Sequence, residues 1–225
     1  MLNNARDLLS GKNIALVIID VQNDYCSSKS PATRGGDHEF KREASRNTSK
    51  ILEAARRTKI PVIHVKTIHS EWTDSPVWIT RRENPGLVCR VGSWGQEWWD
   101  EFPENWPLPT EYVVVKHRWS AFHGTDLDLV LRSKRIESII LAGLSSAGCV
   151  DATAKDAFML DYGVVILSDC TSAKTRESHE SSLQRISHHH GILADSREVL
   201  SILESTSFPR IPSSNVRALT NSSAE

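Results

Sequence analysis

The sequence predicts an α/β protein, a three-layer α/β/α sandwich around a six-stranded, mainly parallel sheet. Three observations carry that expectation. Short apolar, β-branched runs such as IALVII and ESIILAG recur along the chain, the pattern of strands buried on both faces. Stretches with helical spacing of apolar residues separate them. Asp20, Lys116 and Cys149 stand where three of the runs end, the edge at which open α/β sheets collect their ligands.

Taken in order, residues 14–20 (IALVIID) form the first strand and deliver Asp20 at its C-terminal end. Residues 26–40 are rich in Ser, Gly and Pro and read as a loop. Ile51, Leu52, Ala54 and Ala55 mark one face of an amphipathic helix over residues 41–58. Residues 61–69 (PVIHVKTIH) form the second strand, with His69, Glu71, Trp72, Asp74 and Trp78 at or past its end. His69 is placed to meet a substrate or a metal, but no second histidine stands at ligand spacing, which favours a pocket or structural role. Residues 81–109 lack a period and carry Trp94, Trp98, Trp99 and Trp106. The expectation there is a helical turn or two over GQEWWDEF, with the tryptophans packing on the body or on another subunit.

YVVV at residues 112–115 is the third strand and ends in Lys116. A lysine at a buried strand mouth requires an acid, and Asp20 is the candidate. A helix over residues 124–134 follows, with Thr125 as N-cap. Residues 136–142 (IESIILA) form the fourth strand, and a helix over 150–162 opens with Cys149 at or near its first turn. A thiol there sits in the field of a helix N-terminus, which favours the thiolate. The same turn offers unpaired N–H groups, the donors an oxyanion needs. Residues 163–169 form the fifth strand, 178–190 a helix, 191–196 a weak sixth strand and 196–203 a closing helix. His188, His189 and His190 read as a solvated cluster complementing a helix C-terminus. One domain over residues 1–205 is expected, then an extended or disordered Pro/Ser-rich tail over 206–225.

The bulk composition excludes several classes. With 225 residues, 39% hydrophobic and 24% charged, the chain has ordinary globular proportions. Lys and Arg number 27 against 28 acids, so no basic excess points to nucleic acid. No apolar run approaches the ~20 residues of a membrane span, and residues 1–12 lack a signal-peptide pattern, so the expected place is the cytoplasm. The four cysteines show no CxxC and no paired spacing. Cys26, Cys89 and Cys170 read as buried apolar fillers.

IALVIIDVQNDY, VVVKHRWSAFHGTDLD and GLSSAGCVDATAKDAFMLDYGVVILSDCTSA resemble, in order and spacing, segments of the isochorismatase-like cysteine hydrolase superfamily. The resemblance covers residues 12–204 and implies a Rossmann-like sheet of strand order 3-2-1-4-5-6. It also implies an Asp–Lys–Cys triad, here Asp20, Lys116 and Cys149. HSEWTDSPVW, VGSWGQEWW and KHRWSAF are most similar to ureidoacrylate and peroxyureidoacrylate amidohydrolases. TIHSEWTD does not reproduce the metal cluster of the similar nicotinamidases, so neither a metal nor another cofactor is expected. Cys149 departs from true isochorismatases, which lack a cysteine at that position. The chain also departs from the amidohydrolase pattern: Ser145-Ser146-Ala147-Gly148 replaces the usual small-Thr-Asn/Asp corner, and Trp119 and His69 replace other residues in the pocket.

What the resemblance implies is hydrolysis of a C–N bond. Asp20 takes the Cys149 proton, the thiolate attacks an amide or ureido carbonyl, and a thioester forms and is hydrolysed. The N–H groups of Ser145 and Cys149 hold the oxyanion, with a cis peptide preceding Ser145. Gln22, Thr67, His69, Trp119 and Phe122 are the substrate-facing candidates. The partner expected is a small amide or ureido molecule, and the assembly a homo-oligomer, dimer or tetramer. Nicotinamidase- or isochorismatase-type hydrolysis and a non-catalytic binding member of the fold stand as alternatives.

Overall fold

A computed structural model of the chain describes residues 4–80, 88–206 and 208. Among them six parallel strands form one sheet: β1 (Ile14–Ile19), β2 (Val62–Thr67), β3 (Tyr112–Lys116), β4 (Ser138–Leu144), β5 (Gly163–Ser172) and β6 (Ile192–Ala194). Their order is β3-β2-β1-β4-β5-β6, as the resemblance implied. The order reverses between β1 and β4, where the connections leave to opposite sides and open a crevice at the strands' C-terminal ends.

Alternation along the strands builds two cores. Leu16 and Ile18 of β1, with Ile140, Ala142 and Val165, pack on one face beneath α1 (Ala5–Leu9), α3 (His38–Thr58) and α8 (Ser196–Ser205). Ala15, Val17 and Ile19, with Ile139, Leu141 and Ile166, pack on the other beneath α5 (Leu127–Ser133), α6 (Cys149–Met159) and α7 (Arg176–His189). Every residue of β1 and β4 is buried, so neither face offers the half-polar alternation of an exposed sheet. The helix α3 starts three residues before the expected Lys41, because Asp37 caps it by accepting from the Phe40 N–H at 2.9 Å.

Several local expectations change. Two short helices, α2 (Asn23–Cys26) and α4 (Pro76–Thr80), and 3-10 turns at Pro31–Thr33, Trp94–Gln96 and Pro103–Asn105 are too brief to leave a period. GQEWWDEF is not helical beyond Gln96. Its backbone lies against the chain after β1, where the Trp99 N–H donates to Val21 O and the Asn23 N–H to Glu97 O. Trp99 is fully buried beside Phe102, with ring centres 4.7 Å apart. The cap before α5 is Asp126, although the Thr125 hydroxyl accepts from the Leu127 N–H at 3.2 Å. His188 and His189 are exposed as expected, but His190 is buried with Nε2 3.0 Å from Asp151 Oδ1. Phe208 packs against the core, and the rest of the expected tail beyond Thr206 lies outside the described residues, as do residues 81–87.

One glycine positions the crevice. Gly143 pairs with Ile19 across β1 and β4, and a Cβ there would stand 2.0 Å from the Ile19 carbonyl oxygen. Its φ of +106° and the β5 register shift beside it turn β4 towards the α6 corner. Asp20, one residue past β1, takes a left-handed φ of 53°, which lifts its side chain out of the strand's alternation.

Candidate active site

Three strand ends converge. Asp20 follows β1, Lys116 ends β3, and Cys149 opens α6 after β4. The Lys116 ammonium forms an ion pair with Asp20 Oδ2 at 2.7 Å that lacks hydrogen-bond alignment. It donates to Cys149 Sγ at 3.2 Å, Thr67 Oγ1 at 2.7 Å and the Arg118 carbonyl at 3.1 Å. Thr67 in turn donates to Asp20 Oδ1 at 3.0 Å. Asp20 and Lys116 are each 1% exposed, so the pair sits in low dielectric and neither charge is dispensable to the other.

Electrostatics depart from the expectation at the thiol. Burial, the largest influence, pushes Cys149 up to about 12; Lys116 opposes it and Asp20 adds to it. The helix N-terminus does not carry the day, because desolvation and the neighbouring carboxylate together outweigh the nearby cation. At rest the group is a thiol whose sulfur accepts from the Lys116 ammonium, with the Asp20 carboxylate nearby. Burial also opposes the Lys116 charge, yet Asp20 and Cys149 outweigh it and hold the ammonium above its usual range. Cys26, Cys89 and Cys170 are buried and pushed up chiefly by desolvation.

The corner before Cys149 has open donors. The Leu144–Ser145 peptide is cis, Ser145 O accepts from the Gly148 and Val150 N–H groups, and Ser146 N–H donates to Ser172 O. Among the described residues, the Ser145 and Cys149 N–H groups meet no acceptor. Ser145, Cys149 and Gly148 line a cavity of about 340 Å³ that also contains Asp20, Lys116 and Thr67.

The other candidates divide. His69 lines this cavity, its Nδ1 held by Asp74 Oδ1 at 2.7 Å while Arg90 binds the same carboxylate at 2.7 Å. Trp119 also lines it, 53% exposed, with its ring 5.9 Å from Trp78. Thr67 faces the cavity, but its hydroxyl is bonded to Asp20 and Lys116. Gln22 lies outside the cavity wall. Its amide joins Thr67 N–H, Thr67 O and Gln96 O at 2.7, 2.8 and 2.7 Å, and so ties β2 to the Trp-rich segment. Phe122 stacks on Tyr162 at 5.9 Å, away from the cavity. Tyr25, Lys41 and Arg118, which the sequence does not single out, also line the cavity, as does Trp78, which it places past the end of the second strand. Among the described residues, no three His, Cys, Asp or Glu side chains are grouped to hold a metal ion.

Known proteins resemble the chain over most of its length. Residues 14–198 match the isochorismatase domain. The ureidoacrylate amidohydrolase of Pseudomonas syringae pv. syringae is 32% identical over 173 residues, 70% of this chain and 69% of that protein. A crystal structure of an isochorismatase-like hydrolase from Alkaliphilus metalliredigens superposes with a TM-score of 0.69 at 31% identity, covering 84% of this chain and 98% of that one. The N-carbamoylsarcosine amidase of Thermoplasma acidophilum gives 0.66 at 26% identity, over 82% and 96%. The chain belongs to the isochorismatase family of hydrolases.

Proposed function

We propose that the protein hydrolyses a C–N bond in a small amide or ureido molecule, with Cys149 as nucleophile. The contact that carries the reading is the buried cluster in which Cys149 touches Lys116 at 3.2 Å and Lys116 touches Asp20 at 2.7 Å. The Cys149 thiol gives its proton to Asp20, whose Oδ2 lacks an aligned donor, as sulfur attacks the carbonyl carbon. The carbonyl oxygen gains the negative charge and is held by the Ser145 and Cys149 N–H groups. Collapse of the tetrahedral adduct breaks the C–N bond, and Asp20 returns the proton to the leaving nitrogen. Ammonia or an amine departs and a thioester remains. Asp20 then deprotonates water, which attacks the thioester, and the acid product leaves with the thiol restored. Because the thiol's own pKa is about 12, the base is essential rather than auxiliary. Lys116 offsets the Asp20 charge before transfer and the sulfur's charge during it.

The names of the relatives support the substrate class: one is a ureidoacrylate amidohydrolase and another an N-carbamoylsarcosine amidase. No described helix is long and apolar enough to cross a membrane, and a cytoplasmic enzyme is part of the reading. So is self-association, since Leu129, Phe158 and Met159 leave large apolar area exposed. The test is ammonia release across a panel of small primary amides, N-carbamoyl amino acids and ureido acids. The reading expects turnover of at least one member by the wild-type protein and none by Cys149→Ala. Equal turnover by the two proteins would overturn it.

A further inference from the structure

The cavity wall carries more positive charge than the hydrolytic cluster uses. Among the described residues, four cations line it, Lys41, Lys116, Arg118 and Lys174, against the carboxylates of Asp20 and Asp24. Lys116 and Asp20 neutralise each other. Asp24 is occupied by neutral donors, the Ser30 hydroxyl at 2.8 Å and the Cys89 N–H at 2.7 Å. Among the described residues, Lys41, Arg118 and Lys174 form no ion pair.

Lys41 is the exceptional one. It is 4% exposed, in the first turn of α3, and among the described residues its ammonium donates one hydrogen bond, to the Tyr25 carbonyl at 2.9 Å. Burial lowers its pKa from the ordinary 10.5, with the Lys174 charge acting in the same direction. Two of the three ammonium N–H groups thus have no protein acceptor among the described residues. We propose that Lys41 binds a carboxylate of the substrate, so that the amide or ureido group cleaved at Cys149 belongs to a small organic monoanion. The proposal rests on the hydrolase reading and deepens it.

A carboxylate fits better than a phosphoryl group. Arg118 gives one nitrogen, Nη1, to the Thr73 and His117 carbonyls and stacks over Trp78 at 4.8 Å, so it is held half-buried on neutral partners, whereas Lys41 is a buried point charge with no ion pair among the described residues. Lys174 is exposed and adds only a screened field. One buried point charge matches one anionic charge. The cavity, about 340 Å³, leaves room for a short chain between that anion and the scissile carbonyl.

The test is calorimetric binding to full-length Cys149→Ala, which cannot turn substrate over. Two matched pairs serve as probes: succinamate against succinamide, and N-carbamoylglycine against its amide. The acid is expected to bind about tenfold or more tighter than the amide in at least one pair. Adding Lys41→Met should collapse that preference and leave the amide's affinity unchanged, and Lys41→Arg should retain it. Thermal melts confirm that each variant is folded, and if Lys41→Met melts early, Lys41→Gln replaces it. Equal affinities in both pairs would overturn the proposal. So would a preference that survives loss of the ammonium, or an equal fall for acid and amide, the mark of a purely structural lysine. A protein that prefers acids through Lys41 but hydrolyses none of them keeps this inference and retracts the hydrolase reading.

Discussion

Thr67→Val separates positioning from substrate binding. The Thr67 hydroxyl donates to Asp20 Oδ1 at 3.0 Å and accepts from Lys116 at 2.7 Å. Valine keeps the shape of a side chain that is 2% exposed, and the backbone stays anchored by Thr67 N–H to Gln22 at 2.7 Å. Two hydrogen bonds to charged groups disappear, and each is worth about 1.5–3 kcal/mol. Part of that loss is recovered as Asp20 and Lys116 draw closer, so about 2 kcal/mol of misplacement is the expectation, or about thirtyfold in kcat. The assay is steady-state ammonia release on the best panel substrate, with a denaturant melt alongside. A fall in kcat with KM nearly constant supports a hydroxyl that orients the base and its counter-ion. A raised KM with kcat intact would refute the reasoning and return Thr67 to substrate contact.

Removing the cation alone should be costly: Lys116→Met strands a buried Asp20 carboxylate and should lower stability by about 3–5 kcal/mol, whereas Asp20→Asn with Lys116→Met should recover most of it. Chemical denaturation of the three proteins checks this, and equal stabilities of the single and double variants would contradict it. Gly143→Ala places a methyl 2.0 Å from the Ile19 oxygen, so the expected result is loss of folded protein in soluble expression and circular dichroism; a wild-type melt would show that β4 can retreat. Burial lowers the pKa of both His179 and His190 below the ordinary 6.5. The unfolded chain therefore binds protons first, so their contribution to stability is present above pH 6.5 and is lost as pH falls through the lower folded values. Urea midpoints should fall from pH 7 towards pH 5, and a flat profile there would contradict the sign.

The strands and the convergence of Asp20, Lys116 and Cys149 at one sheet edge were legible because a parallel strand announces itself locally and its end is its last residue. Boundaries shifted where a cap outranked the apolar pattern, as Asp37 did for α3. The thiol's acidity was misread because the helix N-terminus is visible in sequence while complete burial beside a carboxylate is not. Gln22 and Phe122 lie near the right residues along the chain but turn away from the cavity, a matter of one side-chain direction each. Lys41 stands at the start of a helix whose apolar face is legible only from Ile51 to Ala55. Only the fold brings that position against Tyr25. Trp78 of α4 and Arg118 after β3 meet through a ring contact between distant segments, for which a single sequence has no local signal.

The central claim is that Cys149 carries the acyl group. The most direct measurement is peptide mass mapping of the wild-type protein acid-quenched during turnover of a panel substrate. The expected result is a mass increase equal to the acyl fragment on the peptide bearing Cys149, absent from those bearing Cys26, Cys89 and Cys170, and absent throughout in Asp20→Asn. Undiminished turnover by Cys149→Ala, with no adduct on the wild-type cysteine, would contradict it.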